Sequence, residues 1–248
     1  MEKMMKTLGI IGFGAFGALA AEHLRSRFEV VASDRRDKSA LAVSMGVRWA
    51  SITDASACDV VLLCVPISEM EAVLERIKGS VKPGALFVDT CSVKSLPCRL
   101  MRRILPRGVE VLASHPLFGP QSACRGLDGL EIVLCPVRVT RKTLAAAKKV
   151  LREMGLRVSV MLPREHDRRI AETQAVAHFI AAALKGRIPA KRLRVASFEK
   201  LADAMELVRH DSPRLFRDMQ QLNPFAAAER KLLLKRLEKI DGELNGVA

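Results

Sequence analysis

The feature that most constrains this chain is a turn near its start, in which Gly12, Gly14 and Gly17 have the spacing G-x-G-x-x-G. The apolar run of residues 8–11 precedes the turn, and small apolar residues at helical spacing follow it. Between a strand and a helix, the first glycine permits a tight turn and the second lets the backbone approach a pyrophosphate. The third lets the helix pack closely on the strand. The segment therefore predicts a βα unit whose helix N-terminus can bind phosphates, and the alternative is a tight turn without a ligand.

A second strand is predicted at residues 28–33, and Asp34 follows it directly. An acidic residue about 20 positions beyond such a turn is where the ribose hydroxyls of NAD are bound, so the two features together predict a dinucleotide site. Asp34 favours NAD because its carboxylate repels the 2′-phosphate of NADP. Arg35 and Arg36 point the other way, since a guanidinium can pair with that phosphate, and we expect NAD with NADP as the alternative. Residues beside the turn and after the next strand complete the predicted cofactor set: Phe16, Val65 and Pro66.

The formal net charge of +14 suits anionic ligands and raises nucleic-acid binding as a rival function. The basic residues are dispersed, however, and aromatic residues make up 4% of the chain, so stacking platforms for single strands are scarce. We therefore expect most of the charge to be solvated surface and no nucleic-acid partner.

Other totals bear on the compartment and on zinc and disulfide sites. No apolar run approaches the ~20 residues of a membrane span, and the first predicted strand begins too early to leave room for a signal peptide. A cytoplasmic protein without membrane contact is expected. The six cysteines form no C-x-x-C pair, so neither a zinc site nor a disulfide framework is predicted.

Strand and helix patterns alternate over the first two thirds of the chain. Apolar runs bounded by turn residues predict further strands at 59–65, 85–89, 109–113, 131–135 and 157–160, with helices at 69–77 and about 143–154. This alternation predicts an α/β fold with a Rossmann doubly wound sheet. Only helical periodicity remains after Pro163. We therefore divide the chain into a dinucleotide-binding domain (1–163) and a smaller all-helical substrate and dimerisation domain (164–248).

Two features organise the helical part. Steps from a capping residue to proline at 212–213 and 223–224 predict helix starts. The last predicted helix carries an apolar stripe at intervals of four, three and four: Leu233, Leu237, Ile240 and Leu244. Such a stripe is either core or subunit interface, and we hypothesise a homodimer formed through this domain.

Three polar stretches are expected to face the cofactor crevice: 89–94, 114–120 and 166–178. His115 is the best candidate acid/base, because a histidine titrates near neutrality and this one follows a buried strand; the alternative is a structural histidine. Ser92 either hydrogen-bonds a substrate hydroxyl or caps the next helix. Gln174 and His178 are four residues apart and share one helical face. They form either a satisfied core pair or one wall of a site.

These stretches resemble the prephenate/arogenate dehydrogenase family of tyrosine biosynthesis, and in particular its short arogenate-type enzymes. The resemblance covers nearly the whole chain in order. It rests on the glycine turn and on the segments 88–94 (VDTCSVK), 114–120 (SHPLFGP), 165–167 (EHD), 173–179 (TQAVAHF), 215–219 (LFRDM) and 223–224 (NP). The Ser-Val-Lys and His-Pro-Leu-Phe-Gly-Pro pair is its specific part, since related Rossmann dehydrogenases share only the glycines.

The resemblance implies oxidative decarboxylation of a small dianionic cyclohexadienol, with hydride transfer to NAD(P)+. Prephenate would give 4-hydroxyphenylpyruvate and arogenate would give tyrosine, and the sequence does not separate the two. His115 would accept the proton of the 4-hydroxyl as neutral imidazole, while Ser92 would position that hydroxyl. In relatives, the positions of His178 and Arg217 hold the carboxylate end of the substrate. Further candidate contacts are Lys94 and Gln174.

One departure and two rivals qualify the resemblance. The plant-like enzymes carry a Ser-Arg pair suited to NADP where this chain has Asp34 and Arg35. The first rival is another Rossmann dehydrogenase or reductase, acting on an imine or a 3-hydroxy acid, which would not need His115 beside Ser92. The second is a cofactor-sensing or nucleic-acid-binding protein that keeps the fold without the chemistry. The dispersed charge and the Ser92/His115 pair count against it.

Overall fold

The computed structural model of the chain describes residues 5–187, 193, 195–209 and 211–246. The chain forms two compact units, the first ending at Pro163 and the second beginning at Arg164. The first unit is an α/β structure, and the described residues of the second contain helices and no strand.

One sheet organises the first unit. Its strands are β1 (Thr7–Ile11), β2 (Glu29–Ser33), β3 (Arg48–Trp49), β4 (Val60–Leu63), β5 (Leu86–Asp89), β6 (Glu110–Pro116), β7 (Glu131–Arg138) and β8 (Arg157–Val160). The strand order is β3-β2-β1-β4-β5-β6-β7-β8. Neighbouring strands are parallel except for β6 and β7. The order reverses between β1 and β4, and such a switch point is where open α/β sheets bind ligands beyond the strands' carboxyl ends.

Helices cover both faces of the sheet. They are α1 (Ala15–Leu24), α2 (Ser39–Ser44), α3 (Ile52–Ser56), α4 (Ile67–Ile77), α5 (Ser95–Ile104) and α6 (Arg141–Glu153). Successive residues of a strand point to opposite faces, and β1 shows the result. Leu8 and Ile10 pack in one core cluster with Ala21 of α1. On the other face, α3 lies so close to Gly9 that an added Cβ would stand 1.8 Å from the Ala55 carbonyl oxygen.

The α/β class and the doubly wound sheet are confirmed, but the sixth strand differs from its prediction. β6 does not end at residue 113: it continues to Pro116, so His115 lies inside the strand rather than after it. The extension exists because β7 pairs with β6 in the antiparallel direction and carries the ladder to Pro116 opposite Ile132. Residues 117–130 form no helix, and a parallel return in the same sheet needs a long crossover, usually a helix. The two-residue strand β3 was not predicted from the sequence.

The second unit is a set of helices around a small core. They are α7 (Pro163–Ile170), a π-helical turn (Ala171–Ala175), α8 (Val176–Leu184), α9 (Ala196–Val208), α10 (Pro213–Leu222) and α11 (Ala226–Leu244). Ser212 caps α10 as predicted, because its hydroxyl accepts the Leu215 N–H at 3.1 Å. The helix start predicted at Asn223 is wrong. The Asn223 side chain accepts the Phe225 N–H at 2.9 Å and donates to the Asp167 carbonyl at 2.8 Å, so it fixes the connection before α11.

The long helix α11 presents apolar side chains to solvent. Three members of the predicted stripe, Leu237, Ile240 and Leu244, are 54%, 53% and 82% exposed. They are therefore not core residues of this unit, and a subunit interface is the remaining interpretation of the stripe. No helix in the described part of the chain is both long and apolar enough to cross a bilayer.

Candidate active site

The glycine turn has the geometry that its sequence predicts. Gly12 has φ +97°, in the left-handed region that favours glycine, and its N–H donates to the Ser33 carbonyl at 2.8 Å. A Cβ on Gly17 would lie 2.1 Å from the Gly12 carbonyl oxygen, so α1 can pack against the turn only with glycine there. Gly14 differs, because its φ is −78° and an added Cβ would meet no atom within 4 Å. The fold does not need glycine at position 14, and the open space fits the approach of a pyrophosphate.

The N-terminus of α1 is suited to an anion. Gly14 is its N-cap and offers no side chain, and the first turn contains no acidic residue. Backbone N–H groups at this end lack intrahelical partners and carry the positive end of the helix dipole, so they can bind phosphate oxygens. Phe16 in the first turn packs on Phe118 with ring centroids 6.3 Å apart. This contact joins the turn to the segment that follows β6.

Asp34 lies directly after β2 and faces the glycine turn. Its Oδ2 accepts the Phe13 N–H at 2.7 Å, and its Oδ1 accepts the Arg36 N–H at 3.0 Å. The carboxylate is thereby held beside the phosphate-binding turn, the place of the ribose hydroxyls in dinucleotide sites. The exposed guanidinium of Arg35 lies 3.6 Å from the Glu69 carboxylate. A carboxylate thus lies near the Arg35 guanidinium, and Asp34 itself carries a second negative charge beside the glycine turn. This charge pattern favours NAD over the doubly charged phosphate of NADP.

Val65 and Pro66 form the link between β4 and α4. The residue before them, Cys64, donates its N–H to the Ile11 carbonyl at 2.8 Å, which ties the link to the end of β1. Its own carbonyl oxygen would lie 2.4 Å from a Cβ on Gly12. Val65 and Pro66 therefore lie beside the glycine turn, and their contact with a cofactor stays a prediction.

A buried charged network joins β5 to β6. The Lys94 ammonium donates to the Asp89 carboxylate and to the Ser114 carbonyl, and both charged side chains are 0% exposed. Asp89 also accepts the Cys91 N–H at 3.0 Å. The Ser114 hydroxyl donates to the Asp89 carbonyl at 2.6 Å. Burial is the largest influence on the pKa of Lys94 and lowers it. The charge and hydrogen bond of Asp89, together with Cys91 and Cys98, outweigh burial, and the net pKa is raised.

The prediction that Lys94 contacts the substrate does not fit this geometry. Its side chain has no exposed surface, and its ammonium is directed at Asp89 and Ser114. In the sequence, Lys94 lies two residues after the candidate site residue Ser92. In the fold, its charged group points into the interior, because the buried Asp89 carboxylate needs a counter-ion.

Ser92 has a buried hydroxyl that is unsatisfied. The residue is 5% exposed, and among the described residues its Oγ has no hydrogen-bond partner. The alternative that Ser92 caps a helix is wrong, since α5 begins at Ser95 and has no side-chain cap. A buried polar atom without a partner costs roughly 1–3 kcal/mol. A ligand or an ordered water bonded to the Ser92 oxygen would remove that cost.

His115 reaches the same edge of the sheet as Ser92. Asp89 in β5 lies opposite Ala113 in β6, and the two strands are parallel. Ser92 follows Asp89 by three residues and His115 follows Ala113 by two, so both stand at the carboxyl ends of neighbouring strands. His115 is 3% exposed and lies opposite Val133 of β7.

The second unit carries the other predicted substrate residues. The buried His178 has its Nδ1 3.5 Å from Asp211 Oδ2. Burial lowers the pKa of this imidazole, and the charge of Asp211 opposes the shift. Gln174 lies in the π-helical turn, so the shared face expected from regular α-helical spacing does not apply; its buried Oε1 lacks a partner among the described residues. Arg217 is exposed on α10.

Comparison with known proteins identifies the family of this chain. The family model described as "Prephenate dehydrogenase, nucleotide-binding domain" matches residues 19–160. The chain belongs to the prephenate dehydrogenase family. It is similar to arogenate dehydrogenase 2, chloroplastic, of Arabidopsis thaliana, with 30% identity over 96% of this chain and 70% of that protein. A probable arogenate/prephenate dehydrogenase of Methanocaldococcus jannaschii is 28% identical over 90% of this chain and 53% of that protein.

A solved prephenate dehydrogenase shares the fold. The structure from Aquifex aeolicus, in complex with hydroxyphenyl propionate and NAD+, has a TM-score of 0.72 and 22% identity, over 99% of this chain and 90% of that chain. The chain spans 39% of the length of another Arabidopsis thaliana relative, arogenate dehydrogenase 1, chloroplastic.

In this prephenate dehydrogenase family member, the structure adds three residues to the site that sequence reasoning did not assign. They are Asp89, Ser114 and Phe118. All three lie within or beside the quoted motifs, so a signal for them existed. Their contacts could not be predicted from the sequence. The Ser114 hydroxyl, for example, bonds to Asp89, which lies 25 positions away. In the part of the chain that the structure describes, no three His, Cys, Asp or Glu residues converge as a metal site would need.

Proposed function

We propose that this chain oxidatively decarboxylates prephenate or arogenate in tyrosine biosynthesis, with NAD+ as the hydride acceptor. The observation that carries the proposal is the buried Ser92 hydroxyl, which has no partner among the described residues and lies at the same sheet edge as His115. The glycine turn supports the cofactor, because Gly14 leaves space that the fold itself does not need. Membership of the prephenate dehydrogenase family supports the reaction.

The residues of the first unit have distinct roles in this proposal. When bound, the nicotinamide supplies the acceptor for the hydride that leaves the carbinol carbon of the ring. His115, as neutral imidazole, takes the proton of the 4-hydroxyl. The ring carboxylate then leaves as CO₂, its bonding electrons make the ring aromatic, and the proton returns to the ring oxygen. Ser92 positions the hydroxyl, and the burial of both side chains keeps bulk water from the reacting atoms.

We assign substrate binding in the second unit to His178, Arg217 and Gln174. The exposed guanidinium of Arg217 can hold a carboxylate by two parallel hydrogen bonds. The buried Gln174 Oε1 and the neutral form of His178 offer polar groups without added charge. The alternative function, a Rossmann reductase of imines or 3-hydroxy acids, is not favoured, because it explains neither the Ser92/His115 pair nor the family match.

The test is a steady-state assay of four combinations, prephenate or arogenate with NAD+ or NADP+, following the reduced nicotinamide. We expect turnover with at least one substrate, and a higher kcat/KM with NAD+ because Asp34 and Glu69 disfavour the 2′-phosphate. A protein that binds NADH but turns over neither substrate would contradict the proposal. A preference for NADP+ would contradict the cofactor assignment alone.

We also propose that the chain forms a homodimer through α11. The support is a row of exposed apolar side chains at intervals of three and four, Leu237, Ile240 and Leu244, which a partner helix would cover. We expect light scattering to give twice the chain mass, and Leu237→Lys combined with Ile240→Lys to give a monomer. A wild-type monomer at working concentrations would contradict this.

A cytoplasmic location and the lack of a nucleic-acid partner remain predictions.

A further inference from the structure

We propose that Asp89 and Lys94 are positioning residues, a buried ion pair that holds Ser92 and His115 in register. The inference rests on the proposed function and deepens it. Neither residue is assigned to contact the substrate or the cofactor. Their effect on the reaction is exerted through the two segments that carry the reacting groups.

The first step of the argument is where the pair acts. Lys94 donates to the Asp89 carboxylate and also to the carbonyl of Ser114, the residue directly before His115. Asp89 accepts the N–H of Cys91, the residue directly before Ser92, at 3.0 Å. The pair therefore bonds to the backbone immediately next to both proposed site residues.

A second set of bonds closes the network. The Ser114 hydroxyl donates to the Asp89 carbonyl at 2.6 Å, and the Ser114 N–H donates to the Asp89 carboxylate at 3.3 Å. The segment from Asp89 to Lys94 is thus bonded at both of its ends to position 114 of the neighbouring strand. In a network of this kind, a shift of residues 91–92 displaces the Ser92 oxygen relative to the His115 ring.

A buried ion pair is also an energetically unfavourable way to fill a core. Two fully buried charges lose their hydration, and apolar side chains of similar volume often stabilise a fold equally well. A buried ion pair that bonds to the residues before both site side chains has a purpose that packing alone does not give. Hydride and proton transfer need reacting atoms in narrow alignment, and a displacement of about 1 Å can cost 10²-fold in rate.

The experiment compares two variants that each lose one Lys–Asp pair. Lys94→Met removes the buried ammonium and keeps most of the side-chain volume. Lys82→Met is the matched control, because Lys82 pairs with Asp59 directly before β4, at the opposite edge of the sheet. Steady-state kcat and KM are measured for the substrate that the wild type turns over, together with the Kd for NADH and the thermal midpoint.

For Lys94→Met we expect kcat to fall about 10- to 100-fold, while KM and the Kd for NADH change less than about threefold, since less than 1 kcal/mol of binding is at stake. For Lys82→Met we expect wild-type kcat and KM. A merely structural role would lower the thermal midpoint of Lys94→Met and leave the kcat of its folded fraction unchanged, which would overturn the proposal. A steep rise in KM with an unchanged kcat would also overturn it, because that result assigns Lys94 to substrate binding.

Three further outcomes are distinguishable. If Lys94→Met does not fold, Ser114→Ala carries the same test. Loss of its hydroxyl bond to Asp89 should lower kcat about threefold to tenfold with KM unchanged, and an unchanged kcat would overturn the proposal. If the wild type turns over neither prephenate nor arogenate, the proposed function fails and the positioning role fails with it. If the wild type is active and the variants match it, only the positioning role fails.

Discussion

Replacing His115 with asparagine should lower kcat by about 10²- to 10⁴-fold, the range expected when a general base is removed. Asparagine keeps a polar side chain of smaller volume in the same buried strand position, but it cannot take a proton from the substrate hydroxyl. The Kd for NADH should stay near its wild-type value, because the phosphate-binding turn follows β1 and not β6. Steady-state kinetics and NADH titration of the same preparation measure both quantities.

The pH profile gives an independent reading of the same residue. Only neutral imidazole accepts the proton, so wild-type kcat/KM should fall about tenfold per pH unit once the base is mostly protonated. The activity left in His115→Asn should lack this acid limb. His23→Asn is the matched control, because His23 lies in the last turn of α1, which has run back from the carboxyl end of β1 towards the amino end of β2. This variant should keep wild-type kcat and the acid limb. Wild-type kcat in His115→Asn would show that another group is the base.

The second large effect separates two glycines that lie three residues apart. Gly17→Ala places a Cβ 2.1 Å from the Gly12 carbonyl oxygen. Because that contact is with backbone, α1 must shift, and we expect a loss of about 1–3 kcal/mol in the free energy of unfolding. Among the described residues, the Cβ of Gly14→Ala meets no atom within 4 Å, and φ at this position is an ordinary −78°. The reduced freedom of the unfolded chain and the poorer N-cap oppose each other, so the free energy of unfolding should stay within about 1 kcal/mol of the wild type.

For cofactor binding, Gly14→Ala is the variant with the larger expected effect. The Cβ of Gly14→Ala occupies the space where a pyrophosphate must approach, and we expect the Kd for NADH to rise at least about tenfold, a loss of about 1.4 kcal/mol. Thermal unfolding without ligand and calorimetric titration with NADH distinguish the two variants. Tight NADH binding by Gly14→Ala would contradict the placement of the pyrophosphate. A Gly17→Ala protein as stable as the wild type would contradict the packing argument.

Much of the first unit could be predicted from the sequence, because the relevant signals are local. The left-handed φ of Gly12 and the tight contact at Gly17 follow from three glycines in a short segment. Asp34 stands at the end of β2 as its spacing indicates, and it contacts the glycine turn. Ser212 caps α10 because a hydroxyl and the N–H three residues on need nothing beyond their own turn of chain.

The remaining features depended on partners that are distant in the sequence. His115 lies within a strand because β7 returns antiparallel to β6, a pairing that the apolar run of β6 does not encode. Asn223 is held by the Asp167 carbonyl and so does not begin α11. Gln174 falls in a π-helical turn, which residue spacing alone does not reveal.

The sequence by itself determined the α/β class, the glycine turn, the acidic residue beside it and the motifs that identify the family, since each depends on residues close along the chain. Only the tertiary structure decided where the charge of Lys94 goes. A buried ammonium takes the carboxylate and the carbonyl that the fold brings within reach, here Asp89 and Ser114. The same packing leaves the Ser92 hydroxyl without a partner in the part of the chain that the structure describes, because hydrogen-bond satisfaction is settled by long-range contacts and not by the order of residues.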